Sequence, residues 1–262
     1  MPEIYRLNKE TVSEHEGESD FNKKYAKLGR KITDNVKTML GGVKSTDPEY
    51  WGLREILTED EVDVALTMKL RKWYTLEQIC ANNKQFTAEK VSEIVDLMTV
   101  HGILEYDYGD HYDDNGPTQE KDPAEKRYRI SYYVPGSAEL FNSSVDRVDK
   151  NPAVASFFER MTFLPLEHIT PMVRPGGDGI GMHVIPVEKE VNMHSEALDI
   201  EKISYWLQKY DGHLSAGICS CRYSRAKLGE GCTDDVNDWC IQVGDMADYT
   251  VQTGRAHYIT KE

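Results

Sequence analysis

The sequence predicts an α+β protein in three parts, and three observations carry that prediction. Helix-start signals at Thr58, Thr75 and Thr87 mark three short helices that precede two β-prone runs. A stripe of apolar residues at helical spacing lies ahead of them. Four of the five cysteines fall between positions 219 and 240, well apart from Cys80.

The first part, residues 1–50, is polar and rich in lysine. Within it Phe21, Tyr25, Leu28, Ile32, Val36 and Met39 recur every three or four residues, which predicts one amphipathic helix before the Gly41-Gly42 break. Such a stripe faces either the core or a partner.

The second part, residues 51–145, has the clearest local signals. In Thr58-x-x-Glu61 the threonine hydroxyl accepts from a free helix N–H while the glutamate reaches back. It opens a helix with Val62, Ala65, Leu66 and Leu70 on one face. Thr75-x-x-Gln78 opens a second helix, at whose end Cys80 reads as a small buried apolar side chain. Thr87 opens a third, with Val91, Ile94, Val95 and Met98 inward and Gly102 placed to end it. Ile103–Tyr108 and Arg127–Val134 then read as two strands. Three helices followed by a two-stranded ribbon is a winged-helix arrangement.

The charges of this part argue against reading nucleic acid. The third helix exposes Glu89, Glu93 and Asp96 against Lys90. Between Glu105 and Glu125 there are eight acidic residues and one lysine. Groove binding needs Arg and Lys at both places. The whole chain, with 45 acidic and 31 basic residues, carries a formal net charge of −14, which discourages contact with polyanions. The expected role of the winged helix is protein–protein or intramolecular packing.

The third part, residues 146–262, contains Phe157, Phe158, Phe163 and Leu164, then a glycine-rich stretch from Gly176 to Gly181 that leads into His183–Val187. A phosphate-cradling glycine loop opens a helix, so this one reads as a turn before a short strand. Ile203, Trp206, Leu207 and Tyr210 predict an amphipathic helix that delivers the chain to Gly217-Ile218-Cys219.

The cysteine pattern is Cys219-x-Cys221, ten residues to Cys232, and seven to Cys240. With no secretory leader or membrane-spanning run in the sequence, a cytoplasmic setting is expected. Thiols there stay reduced, so clustered cysteines point to metal binding or redox chemistry. Four thiolates suit a tetrahedral zinc or a [4Fe–4S] cube. The C-x-C spacing with two unequal loops favours the bulkier cluster over the usual zinc knuckle. Arg222, Arg225 and Lys227 are placed to offset its negative charge, and Arg222 and Arg225 are the candidate cofactor-contacting cations. His213 and His257 flank the cysteines as less favoured ligands. Asp234, Asp235 and Asp238 read as an exposed loop. There is no P-loop and no Ser/His/Asp arrangement.

Cys219-x-Cys221-Arg222, Gly231-Cys232, Cys240 with Gly244 and Ala247, Gly254-Arg255 and the upstream Val184–Lys189 segment together resemble a family of 4Fe–4S-binding oxidoreductases of anaerobes. Its members join a winged-helix segment to a C-x-C-R cysteine domain. The resemblance runs from about Tyr50 onward. It implies one [4Fe–4S] cluster on Cys219, Cys221, Cys232 and Cys240, and electron transfer as part of, or partner to, a flavin-dependent oxidoreductase. FAD and NAD(P) would lie on a further region or on a flavoprotein or ferredoxin-like partner. Such a chain is an oxidoreductase component without a complete active site of its own. The competing expectations are a redox- or iron-sensing winged-helix regulator and a structural zinc module.

Overall fold

A computed structural model describes residues 23–32, 48–109, 112–113, 116–117, 121–131, 136–152, 154–155, 202–229, 237–238 and 240–262. Phe21, Val36, Met39, the 157–187 segment with its glycine run, Cys232, Asp234 and Asp235 lie outside the described residues. Helices and small antiparallel sheets are mixed, so the fold is α+β.

Helix α1 (Lys23–Ile32) buries Tyr25, Leu28 and Ile32. Three of the six stripe residues thus face the core. The Tyr25 hydroxyl donates to the Leu57 carbonyl at 2.7 Å. Helix α2 (Pro48–Ile56) was not expected from the sequence, although proline suits a first helical position and Tyr50, Leu53 and Ile56 share one face.

Helix α3 (Glu59–Thr67) begins with the expected reciprocal cap at Thr58 and Glu61, and α4 (Leu76–Asn82) with the one at Thr75 and Gln78. Each such cap is worth about 1 kcal/mol. Leu70 lies past the end of α3, in a turn, and packs on the core from there. Cys80 on α4 is only partly buried against the same core. Glu61 has no exposed surface; its carboxylate accepts from the Thr58 N–H (2.7 Å) and Oγ (2.8 Å) and pairs with His101 Nδ1 at 2.5 Å. That contact ties the start of α3 to the end of α5 (Ala88–His101).

Helix α5 buries Val91, Ile94, Val95 and Met98 and stops at Gly102, whose φ of 89° is left-handed. A side chain there would also meet Leu140 Cβ at 2.7 Å. Strand β1 (Leu104–Asp107) follows. The short β2 (Tyr112–Asp113) and β3 (Gly116–Pro117) pair with each other, and β4 (Arg127–Ile130) returns antiparallel to β1. Register places Glu105 opposite Arg129 and Asp107 opposite Arg127, and both are ion pairs. Trp73 stacks on both guanidiniums, 4.8 Å from Arg127 and 4.3 Å from Arg129.

Helices α6 (Ala138–Asn142) and α7 (Val145–Lys150) lead on from this ribbon. Helix α8 (Ile203–Lys209) forms where the Ile203, Trp206, Leu207 and Tyr210 pattern predicts, yet none of its residues is fully buried among the described residues. Its amphipathic spacing therefore did not translate into a core-facing stripe. Strand β5 (Leu214–Gly217), helix α9 (Ser220–Lys227), strand β6 (Cys240–Val243), helix α10 (Asp245–Gln252) and strand β7 (Ala256–Tyr258) complete the chain. The strands form one antiparallel sheet in the order β6-β5-β7.

This sheet and the helix–ribbon region are joined through α10, which packs on β1 as well as on β5 and β7. Tyr249 is fully buried, and its hydroxyl donates to the carbonyls of Thr99 (2.7 Å) and Leu104 (3.0 Å). Tyr106 bonds Gln252 from the other side. Lys121, the single lysine of the acidic stretch, reaches Asp245 at 2.7 Å and also contacts Asp248. Arg255, 6% exposed, donates to the carbonyls of Leu140 (3.0 Å) and Val100 (2.6 Å). No helix of the described residues is long and apolar enough to cross a membrane.

Candidate metal centre

Two turns of chain bring three of the four clustered cysteines to one corner. Strand β5 ends at Gly217, and two residues later Cys219 occupies the N-cap of α9 with Cys221 in its first turn. Cys240 is the first residue of β6 and lies directly opposite Gly217 in the sheet. Antiparallel pairing thus returns Cys240 to the place where the Cys219–Cys221 turn leaves, which spacing alone does not reveal.

The electrostatics at Cys240 register this closeness. Burial first, then the charge of Cys219 and a hydrogen bond with it, and then the charge of Cys221, push the Cys240 thiol up to about 12. The Ser220 backbone N–H opposes them by donating to the Cys240 sulfur. A Cys240 thiol held in its neutral form by two neighbouring thiols is the electrostatic consequence of their closeness, and a bound cation would act in the opposite sense. The positive end of α9 adds to the same effect.

Helix α9 is held firmly. Tyr223 is buried, its hydroxyl bonds Asp149 and lies 3.4 Å from the Val145 carbonyl, and Lys227 pairs with Asp149. The Ser224 hydroxyl donates to the Cys221 carbonyl at 3.1 Å. Arg222 and Arg225 stand half-exposed on α9, in the turns that follow the two cysteines. Lys227, expected to offset charge near the cysteines, is instead committed to Asp149.

The flanking histidines have other partners. His213 precedes β5, at the end of that strand away from the cysteines, and its Nδ1 lies 2.9 Å from Asp248. His257, on β7 opposite Ala216, is 3.6 Å from Asp238. Among the described residues no group of three or more His, Cys, Asp or Glu side chains is placed to hold a metal ion. The described part of the site supplies three thiols, and Cys232 lies outside it. Sulfur-only donors of this kind suit zinc or an iron–sulfur cluster rather than a hard cation.

The sheet tolerates nothing larger than glycine beside Cys240. A Cβ on Gly217 would fall 2.5 Å from the Arg255 carbonyl oxygen and 2.9 Å from Ala256 Cβ. Gly217→Ala is expected to force β7 away from β5 and destabilise the protein by about 2 kcal/mol, measurable as a lower midpoint in urea. An unchanged midpoint would contradict the close approach.

No protein-family model matches the chain, nor does any curated protein or any solved structure.

Proposed function

We propose that the chain is an electron-transfer module whose Cys219, Cys221, Cys232 and Cys240 hold one [4Fe–4S] cluster, serving a flavoprotein or ferredoxin-like redox partner. The observation that carries this reading is the convergence of Cys219, Cys221 and Cys240 at the junction of β5, α9 and β6. When bound, the cluster supplies a one-electron carrier. The chain's own residues supply thiolate ligands, and the Ser220 N–H donates to sulfur. Arg222 and Arg225 place positive charge on the adjoining helix, which stabilises the more negative, reduced state and raises the potential. Substrate chemistry on FAD or NAD(P) belongs to the partner or to a further region.

In the same reading α3, α4 and α5 with the β1–β4 ribbon form a winged helix used for packing. Glu89, Glu93 and Asp96 are exposed on α5, and Lys90 lies 3.5 Å from Glu93. The ribbon arginines are engaged by carboxylates and Trp73, and Lys121 is engaged by α10. These commitments weigh against a nucleic-acid-binding regulator, because phosphate contacts need available cations. The acidic surface suits electrostatic attraction of a basic redox partner.

Anaerobically prepared protein should show a broad visible absorption that dithionite bleaches and a mild oxidant restores. A colourless protein indifferent to dithionite would overturn the proposal.

A further inference from the structure

A cleft of about 670 Å³ opens beside Cys240, within the size range of small-molecule sites. Much of its wall is apolar, with Leu140, Ile218 and Met246 among the lining side chains. Two polar side-chain atoms on the same cleft lack hydrogen-bond partners among the described residues. Arg255 is 6% exposed, and its Nε and Nη2 donate to the Leu140 and Val100 carbonyls. Its Nη1 has no hydrogen-bond partner among the described residues. Ser220 is 2% exposed and its hydroxyl is likewise without one.

A buried guanidinium is costly unless a counter-charge and full hydrogen bonding repay it. The carboxylates on this cleft are otherwise engaged: Glu105 by Arg129, and Glu139 by the Gly136 N–H at 2.6 Å. The nearby Arg147 adds repulsion, because the two guanidiniums oppose each other's charge. Arg255 therefore brings to the cleft a guanidinium with a spare donor and no carboxylate bonded to it among the described residues, next to apolar surface.

We propose that this cleft binds a small organic carboxylate, its acid group on Arg255 Nη1 with Ser220 Oγ as a second donor, and its apolar body against Leu140, Ile218 and Met246. The binding does not depend on the metal centre. That the ligand would lie at the edge of a redox group, beside Cys240, rests on the function proposed above. Inorganic phosphate satisfies the charge but not the apolar wall, so an organic acid is the better fit.

Titration calorimetry on the full chain, with benzoate as probe, benzamide as its neutral counterpart and inorganic phosphate as the compact anion, tests this. Benzoate should bind at least about tenfold more tightly than either. Arg255→Gln should weaken benzoate about tenfold or more, with Arg255→Lys between. Met246→Trp, which fills the cleft and leaves the guanidinium alone, should abolish binding. Equal affinity for benzoate and benzamide, preference for phosphate, no benzoate binding, or full binding by Met246→Trp would each overturn the proposal. Brown protein that ignores benzoate removes the cleft proposal alone, and colourless protein that binds it removes the cluster alone.

Discussion

Tyr249→Ala is expected to lower the unfolding free energy by about 4 kcal/mol, the range for truncating a large buried aromatic. The ring has no exposed surface and meets Tyr106 edge to face at 5.2 Å. Its hydroxyl donates to the last turn of the third helix of the 51–145 region at Thr99 and to the following strand at Leu104. Truncation therefore empties the joint between the cysteine-bearing sheet and the helix–ribbon region, and leaves two carbonyls short of a donor. Tyr249→Phe keeps the ring and should cost about 1–2 kcal/mol. Burial also pushes the phenols of Tyr249, Tyr25 and Tyr128 up to about 12. The unfolded chain gives up these protons near pH 10, while the folded chain keeps them to about 12. Their contribution to stability is thus complete below pH 10 and lost as pH rises through 12. Urea unfolding of the variants across that window checks both points; unaltered midpoints would refute the joint.

Cys219→Ser is expected to lose most of the bound metal, whereas Cys80→Ser should keep it. Cys219 stands at the N-cap position of the helix Ser220–Lys227 and hydrogen-bonds Cys240 across the turn, so its loss removes one proposed ligand and the contact that orients a second. A serine oxygen is a harder donor than thiolate and holds soft metals less well. Cys80 lies on a different helix, partly buried against the hydrophobic core, and controls for the general effect of removing a thiol. Metal content measured on the two variants side by side separates them. Equal retention would remove Cys219 from the site.

The elements legible in the sequence were those with local chemistry. Thr58 with Glu61, Thr75 with Gln78, Thr87 and Gly102 each mark a boundary through a hydrogen bond or a backbone preference confined to a few residues, and each sits where expected. The helix at Pro48–Ile56 was not read from the sequence, although Pro48 and the Tyr50, Leu53, Ile56 spacing are local signals for it. The helices Ala138–Asn142 and Val145–Lys150 were not legible, because fewer than two turns show no periodicity and neither carries a side-chain cap.

At the candidate site, the spacing singled out the cysteines but not how they meet. That depends on pairing Gly217 with Cys240, a long-range register with no local signature. Tyr249 was missed for the same reason, and Arg255 was noted only as part of the Gly254-Arg255 resemblance, with no role. Each takes its role from carbonyls more than a hundred residues away, at Val100 and Leu140 for Arg255 and at Thr99 and Leu104 for Tyr249. The Ile203–Lys209 helix teaches the converse: apolar spacing specifies a face, and tertiary packing decides whether that face is buried.

Iron and acid-labile sulfide, counted per chain on anaerobically purified protein, test the central claim most directly. A [4Fe–4S] cluster on Cys219, Cys221, Cys232 and Cys240 requires about four of each. One zinc per chain with neither iron nor sulfide would contradict it.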